Sequence, residues 1–315
     1  MTIVLYVNSD CNAHCKMCDI GQRNNRGIAR MATGGDITLK MVRDIVDQLE
    51  KPTMFYLGMT EPLMHPNIEG IIDIIKDAGH KCTLTTNGFL LPQKADKLGR
   101  LEGIQVSIDG PKKVHDDIRG KDFYDNATEG IKLLKIPAYI NYTVSNLNYD
   151  CIEEFIEKTQ HLKVAQYKIQ FMDFVSEEMK NKQNKLWLKQ TVSTVNDEID
   201  PEKVDVKILR DQLNKVSRFK NVIVIPETKE IEKYFNNAGE PITGFDTCTV
   251  PMGQVAIKPD GKILFHLRCF NYEIGSVKEG IEKAFNGERA NKFRKLLIDN
   301  NYLMPACTRC CGAMQ

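Results

Sequence analysis

The sequence predicts an α/β fold: a parallel sheet, open or closed part-way into a barrel, followed by a compact cysteine-rich tail. Three observations carry this reading. Between residues 2 and 172, six short apolar or β-branched runs alternate with amphipathic stretches of helical period. Near residue 176 that alternation stops and the chain turns strongly polar. The cysteines are grouped, three at 11, 15 and 18 and five at 248, 269, 307, 310 and 311, with only Cys82 and Cys151 between.

The strand-like runs are 3–7, 54–57, 82–85, 104–108, 138–144 and 166–171. The first helix is expected over 39–49, where Leu39, Val42, Ile45, Val46 and Leu49 share one face and Thr38 is placed to cap it. The second is expected over 68–78, with Ile68, Ile71, Ile72 and Ile75 on its inner face and Gly79 to end it. Six β-then-α units imply right-handed crossovers, and active sites of such sheets gather at the C-terminal ends of the strands. The loop from Cys11 to Cys18 directly follows the first strand and so stands at that end. Residues 176–247 read as a mostly helical insertion with one strand at 222–225. In the tail, 255–265 reads as a hairpin turned at Asp260-Gly261, followed by a helix over 277–298. The expected units are 1–175, 176–247 and 248–315.

Composition excludes several classes. With 43 basic and 42 acidic residues the net charge is +1, which argues against nucleic acid or an anionic membrane as the main partner. No apolar stretch reaches the length of a membrane span. The expectation is a cytoplasmic protein, in which clustered cysteines read as metal or redox ligands and not as a disulfide framework.

The segment Cys11-Asn-Ala-His-Cys15-Lys-Met-Cys18 offers three thiolates to one small inorganic object, one fewer than a closed four-coordinate site needs. An iron–sulfur cluster with one open iron, a zinc site and buried thiols all suit the spacing alone. In the tail, Cys248-x20-Cys269-x37-Cys307-x2-Cys310 is a four-thiolate set that suits an iron–sulfur cluster or a zinc knuckle. Cys82 and Cys151 read as small buried hydrophobes, and the lone His14, His65 and His266 as structural.

The chain resembles the radical S-adenosylmethionine (SAM) enzymes, and its tail resembles the twitch and SPASM auxiliary-cluster domains. The resemblance rests on the cysteine triad and on Gly58-Met-Thr-Glu61-Pro62, which is similar to a Gly-Gly-Glu-Pro loop. Further support comes from Thr86-Asn87-Gly88, Ser107-Ile-Asp109-Gly110-Pro111 and His115-Asp-Asp-Ile-Arg119-Gly120 after the later strands. It implies a partial (β/α)6 barrel with a twitch-like iron–sulfur subdomain. It implies a [4Fe–4S] cluster held by Cys11, Cys15 and Cys18 whose open iron takes SAM, and an auxiliary cluster, [4Fe–4S] in kind, held by Cys248, Cys269, Cys307 and Cys310. Gly58, Thr60 and Glu61 would receive the SAM amino group. Arg119 would pair with its carboxylate, and Asn87, Ser107, Asp109 and Ser145 would meet the ribose or methionine parts. Met17 stands where the family usually has an aromatic residue beside the adenine, and Thr60 stands where it has a second glycine.

The activity this implies is reductive cleavage of SAM to a 5′-deoxyadenosyl radical and removal of a hydrogen atom from a small polar substrate, such as a sugar or cyclitol. The auxiliary cluster would accept the electron, as in 2-deoxy-scyllo-inosamine dehydrogenase, whose cysteine spacing is similar. Asp173, after the sixth strand, is the candidate substrate contact, and Cys311 a candidate hydrogen-atom donor. A flavodoxin or ferredoxin would supply electrons. Peptide-modifying relatives often carry a leader-binding module before the barrel; its absence here favours a small molecule. An epimerase or peptide-modifying enzyme is the alternative, and a non-catalytic iron–sulfur electron carrier a further one.

Overall fold

We describe a computed structural model of the chain, which covers residues 1–18, 35–187, 193–244, 246–265 and 272–310. Strands β1 (Thr2–Leu5), β2 (Met54–Leu57), β3 (Lys81–Thr86), β4 (Gly103–Ser107), β5 (Ala138–Val144) and β6 (Gln166–Phe171) fall on the six expected runs within two residues. Each is parallel to the next.

The sheet is wider than six strands. β7 (Val222–Ile225) pairs parallel with β6, and β8 (Gln254–Ile257) pairs parallel with β1. β9 (Lys262–Leu264) and β10 (Glu273–Ser276) continue antiparallel, giving the order β10-β9-β8-β1-β2-β3-β4-β5-β6-β7. The physical reason is the edges. A six-strand sheet would leave β1 and β6 with unpaired backbone N–H and C=O groups. The short apolar runs at 222–225 and 254–257 satisfy them. Thus the tail hairpin, turned at Gly261 with φ +80°, extends the main sheet.

Alternation along the strands sorts the two faces. Phe55, Leu84, Ile104, Ile140, Ile169 and Phe171 are fully buried in one core with the helices. Helix α1 (Leu39–Val46) buries Val42, Ile45 and Val46, and Thr38 Oγ1 accepts from Met41 N at 3.1 Å. Helix α2 (Ile68–Asp77) buries Ile68, Ile71, Ile72 and Ile75, four of its five isoleucines, each contributing roughly 1.5–3 kcal/mol. It ends at Gly79, whose φ of +81° favours glycine. A short helical segment (Leu91–Lys94) joins β3 to β4, helices α3 (Lys112–Arg119) and α4 (Phe123–Leu133) join β4 to β5, and α5 (Ile152–Thr159) joins β5 to β6. Cys82 is buried as a small apolar side chain, and Cys151 is buried with its thiol donating to Asn148 O at 3.4 Å.

In the insertion lie α6 (Glu177–Leu186), α7 (Val206–Val216) and α8 (Ile231–Asn236). Tyr234 and Phe235 of α8 stack on Phe171 of β6, with ring centroids 5.1 and 5.3 Å away. The single helix expected over 277–298 is instead a 3₁₀ turn at Val277–Glu279, then α9 (Ile281–Asn286) and α10 (Glu288–Asp299). The break is at Gly287, which is extended, and where a β-carbon would come within 2.8 Å of Lys283 O.

Candidate functional site

A cavity of about 280 Å³ opens at the C-terminal ends of the parallel strands. Its wall includes Cys11, Cys15, Met17 and Cys18 after β1; Tyr56, Met59, Thr60 and Glu61 on or after β2; and Thr85, Thr86 and Asn87 from β3. Ser107, Arg119, Thr143, Met172 and Asp173 complete it. A larger cleft of about 590 Å³ in the insertion, between residues of α7 and α8, is lined by mixed charges such as Asp205, Lys207 and Arg210 and contains no thiol. Chemistry, not volume, marks the first as the site.

The cysteine loop is pinned from both sides. Cys18 N donates to Cys15 O at 3.0 Å, and Lys16 N to Ile118 O at 3.1 Å. Two donors reach sulfur: Arg119 Nη1 lies 3.7 Å from Cys15 Sγ, and Asn87 Nδ2 lies 3.9 Å from Cys11 Sγ. Burial pushes the Cys11 thiol up to about 11 and that of Cys15 up to about 12, although Arg119 opposes the second shift. Such thiols deprotonate when an electrophilic metal takes them, so loading releases protons.

Glu61 is almost fully buried and stitches two loops together. One carboxylate oxygen accepts from Leu63 N at 3.0 Å and Thr86 Oγ1 at 2.7 Å; the other accepts from Asn87 N at 2.7 Å. A carboxylate offers about four acceptor positions, so one remains open. Burial raises its pKa to about 7, against the pull of those donors and Arg119. The Thr60 hydroxyl is engaged elsewhere, donating to Asn8 Oδ1 at 2.6 Å, while Asn8 Nδ2 donates to Glu61 O at 2.8 Å. Met59 holds a positive φ of +79° in this loop.

Three residues expected at the cofactor lie off the cavity wall. Asp109 is fully buried; its carboxylate accepts from Arg119 Nε at 2.5 Å and from Thr143 N at 2.8 Å. It positions the arginine and the β5 backbone. Ser145 builds a turn: its N–H donates to Asn148 Oδ1 at 2.7 Å and its Oγ accepts from Leu147 N at 3.2 Å. Gly58 makes room, since a β-carbon there would stand 2.9 Å from Tyr56 Cε1. Met172 and Asp173 face the cavity, as expected of the segment after β6; sequence reasoning missed Asn8, Tyr56, Thr85, Thr143 and Asn148. Strand alternation could have found Tyr56, Thr85 and Thr143; nothing local marks the two asparagines.

In the tail, Cys248, Cys307 and Cys310 are buried together, and Cys310 N donates to Cys307 O at 3.1 Å in a tight knuckle. Burial, reinforced by nearby Cys248, pushes Cys307 up to about 12. Cys269 and Cys311 lie outside the described residues. Between the knuckle cysteines, fully buried Arg309 donates to the carbonyls of Lys233, Tyr234, Asn237, Glu240 and Thr308 at 2.6–2.8 Å. The end of α8 and the knuckle are thereby one structure.

Two family models match this chain: the radical SAM superfamily over residues 5–159, and an iron–sulfur cluster-binding domain, SPASM, over 248–311. The chain belongs to the radical SAM superfamily. An AdoMet-dependent heme synthase of Methanosarcina barkeri is 31% identical over 179 residues, covering 53% of this chain and 49% of that protein. A probable GTP 3′,8-cyclase of Saccharolobus islandicus is 29% identical over 162 residues, covering 49% and 51%. This chain spans about half the length of these curated relatives. Among solved structures, anSMEcpe with bound AdoMet superposes with a TM-score of 0.65 at 15% identity, covering 93% of this chain and 82% of that one. Streptococcus suis SuiB bound to SAM gives 0.63 at 14%, covering 93% and 67%. These two show the fold.

The radical SAM superfamily implies a four-iron cluster and SAM, and the SPASM domain implies auxiliary iron–sulfur clusters. The residues present fit. Among the described residues no three His, Cys, Asp or Glu side chains gather as tightly as a single ion requires. Three thiols spread around one cavity, with N–H donors aimed at two of them, suit an object whose irons take one thiolate each. Among the described residues, no helix is long and apolar enough to cross a membrane.

Proposed function

We propose that this radical SAM enzyme oxidises a small polar substrate such as a sugar or cyclitol, with the auxiliary cluster as electron acceptor. One observation carries the proposal: a single cavity gathers the three N-terminal thiols, Glu61 and Arg119 together with Met172 and Asp173 beyond β6. Cofactor ligands and candidate substrate contacts thus share one space. The cluster and SAM, once bound, supply a 5′-deoxyadenosyl radical able to remove a hydrogen atom from an unactivated C–H bond.

The chain's own side chains do the positioning. The open acceptor position of Glu61 takes the SAM ammonium, and Arg119 takes its carboxylate. Asn87 and Ser107 offer hydrogen bonds to the ribose, and Met17 offers an adaptable apolar surface to the adenine. Asp173 stands at the wall with Gln170 Nε2 at 3.5 Å, placed to hold a substrate hydroxyl and to take its proton as carbon becomes carbonyl. Cys248, Cys269, Cys307 and Cys310 hold the auxiliary cluster. A flavodoxin- or ferredoxin-like protein is the natural electron source.

A second reading is a peptide-modifying or epimerising enzyme. It is favoured by structures of this fold with a bound peptide, anSMEcpe with the Kp18Cys peptide and SuiB with its precursor peptide SuiA. Isotope tracing separates the two. Carbon-deuterated candidate substrates are turned over anaerobically with SAM and reductant. Deuterium in 5′-deoxyadenosine with a product two hydrogens poorer supports oxidation. Solvent deuterium entering a product of unchanged oxidation level sinks the first reading and supports epimerisation, with Cys311 or Cys248 as candidate donors.

A further inference from the structure

The inner face of the sheet carries polar groups that SAM binding does not use. Register sets Ser107 of β4 beside Asn141 of β5, and Asn141 beside Lys168 of β6. Ser107 lines the cavity, and Lys168 stands two strand spacings away, roughly 10 Å. A side-chain chain runs in parallel. Thr85 Oγ1, on the cavity wall, donates to Gln105 Oε1 at 3.5 Å, and Asn141 Nδ2 donates to the same oxygen at 2.7 Å. Tyr167, Ile169 and Phe171 are buried under the helices, so Lys168 and Gln170 face the inside with the cavity.

The Lys168 side chain is half-buried yet makes no ion pair or hydrogen bond among the described residues. The half-buried Lys76 and Lys180 are both paired with glutamates. The Gln105 amide nitrogen is likewise unengaged among the described residues, because only its oxygen is bonded. A shielded cation on the same sheet face as spare N–H donors can receive an anionic oxygen group.

We propose that Lys168, Gln105 and Asn141 form a subsite for an anionic oxygen group on the substrate, a carboxylate or a phosphate. This rests on the reading of the cavity as the site of radical chemistry. An anchor there holds one end of a polar substrate while its C–H bond lies toward SAM at the strand ends.

The test uses the full chain, reconstituted anaerobically with excess SAM. Each lysine's reactivity toward an amine-directed reagent is read by mass spectrometry, with exposed Lys40 as internal control. The probes are succinate, inorganic phosphate and the neutral succinamide. Succinate or phosphate should slow labelling of Lys168 severalfold and leave Lys40 unchanged, and Gln105→Leu should weaken that protection. Protection by succinate alone assigns a carboxylate, by phosphate alone a phosphate, and by both the shared chemistry. Protection by neither, or equal protection by succinamide, overturns the subsite. The same wild-type samples are assayed for 5′-deoxyadenosine with dithionite. Its absence would sink the radical reading whatever the labelling shows, so the two failures are distinguishable.

Discussion

Arg119 donates from Nε to the fully buried Asp109 carboxylate at 2.5 Å, and that bond fixes the guanidinium so that its Nη1 faces Cys15 Sγ at 3.7 Å. Burial alone would lower the arginine's pKa, but Asp109 and Cys15 outweigh it and the net shift is upward. Removing one partner of such a pair leaves a buried charge uncompensated, which costs about 3–5 kcal/mol. Asp109→Asn should therefore lower unfolding stability by that order in urea titrations. A cation and an N–H donor beside a cluster thiolate favour the more negative, reduced state. Arg119→Met should then shift the reduced cluster's EPR signal and lower its midpoint potential. An unchanged potential would mean that the arginine serves only SAM.

Glu61 makes the site pH-dependent. Its folded-state pKa lies near 7, against an ordinary 4.5. A raised pKa means the folded chain binds the extra proton, so this stabilising term is present below pH 4.5 and lost as pH rises through 7. The SAM-free chain should lose roughly 3 kcal/mol over that window. On the proposed contact between Glu61 and the SAM ammonium, binding runs the other way, because that contact needs the carboxylate. Calorimetric SAM affinity should rise with pH through about 7, and Glu61→Gln should weaken and flatten that profile.

Met59 occupies the left-handed region at φ +79° while packing against the small apolar cluster of Val4, Tyr6, Ala256 and Leu264. Left-handed backbone costs a non-glycine residue about 1–2 kcal/mol. Met59→Gly relieves that but loses packing, so its melting temperature should lie close to wild type. Met59→Val adds β-branching and should be clearly less stable. A Val variant as stable as the Gly variant would contradict the backbone assignment.

Arg309 is satisfied by four carbonyl acceptors around the end of α8 and by the carbonyl of Thr308. Arg309→Met leaves those carbonyls without their donor, at a cost of several kcal/mol, with about 1–3 for each group left buried and unsatisfied. Iron bound per chain should fall after reconstitution because the knuckle loosens, while the N-terminal cluster's spectrum stays unchanged.

Much of the fold was legible because its strands are apolar runs with clear breaks: β2, β5 and β6 match the expected residues without adjustment. The joining of β8 to β1 was not legible, since edge satisfaction is a long-range effect with no local signature. The tail helix breaks at Gly287, whose backbone is extended and where a β-carbon would crowd Lys283 O, and helical periodicity does not register this. At the site, the cysteine spacing and the Glu61 loop were readable as motifs. The split between Arg119 at the cavity and Asp109 behind it was not, because both belong to the same loop chemistry and only burial separates them. Asn8 and Asn148 escaped notice because an asparagine bonding backbone looks like any loop asparagine.

The most direct measurement is 5′-deoxyadenosine formed from SAM under dithionite by three anaerobically reconstituted proteins: wild type, Cys11→Ala/Cys15→Ala/Cys18→Ala, and Cys307→Ala/Cys310→Ala. Wild type should cleave SAM, the N-terminal triple variant should not, and the tail variant should still cleave it without net oxidation of substrate. Cleavage that survives loss of Cys11, Cys15 and Cys18, or none in the wild type, would contradict a radical-forming centre at these three cysteines.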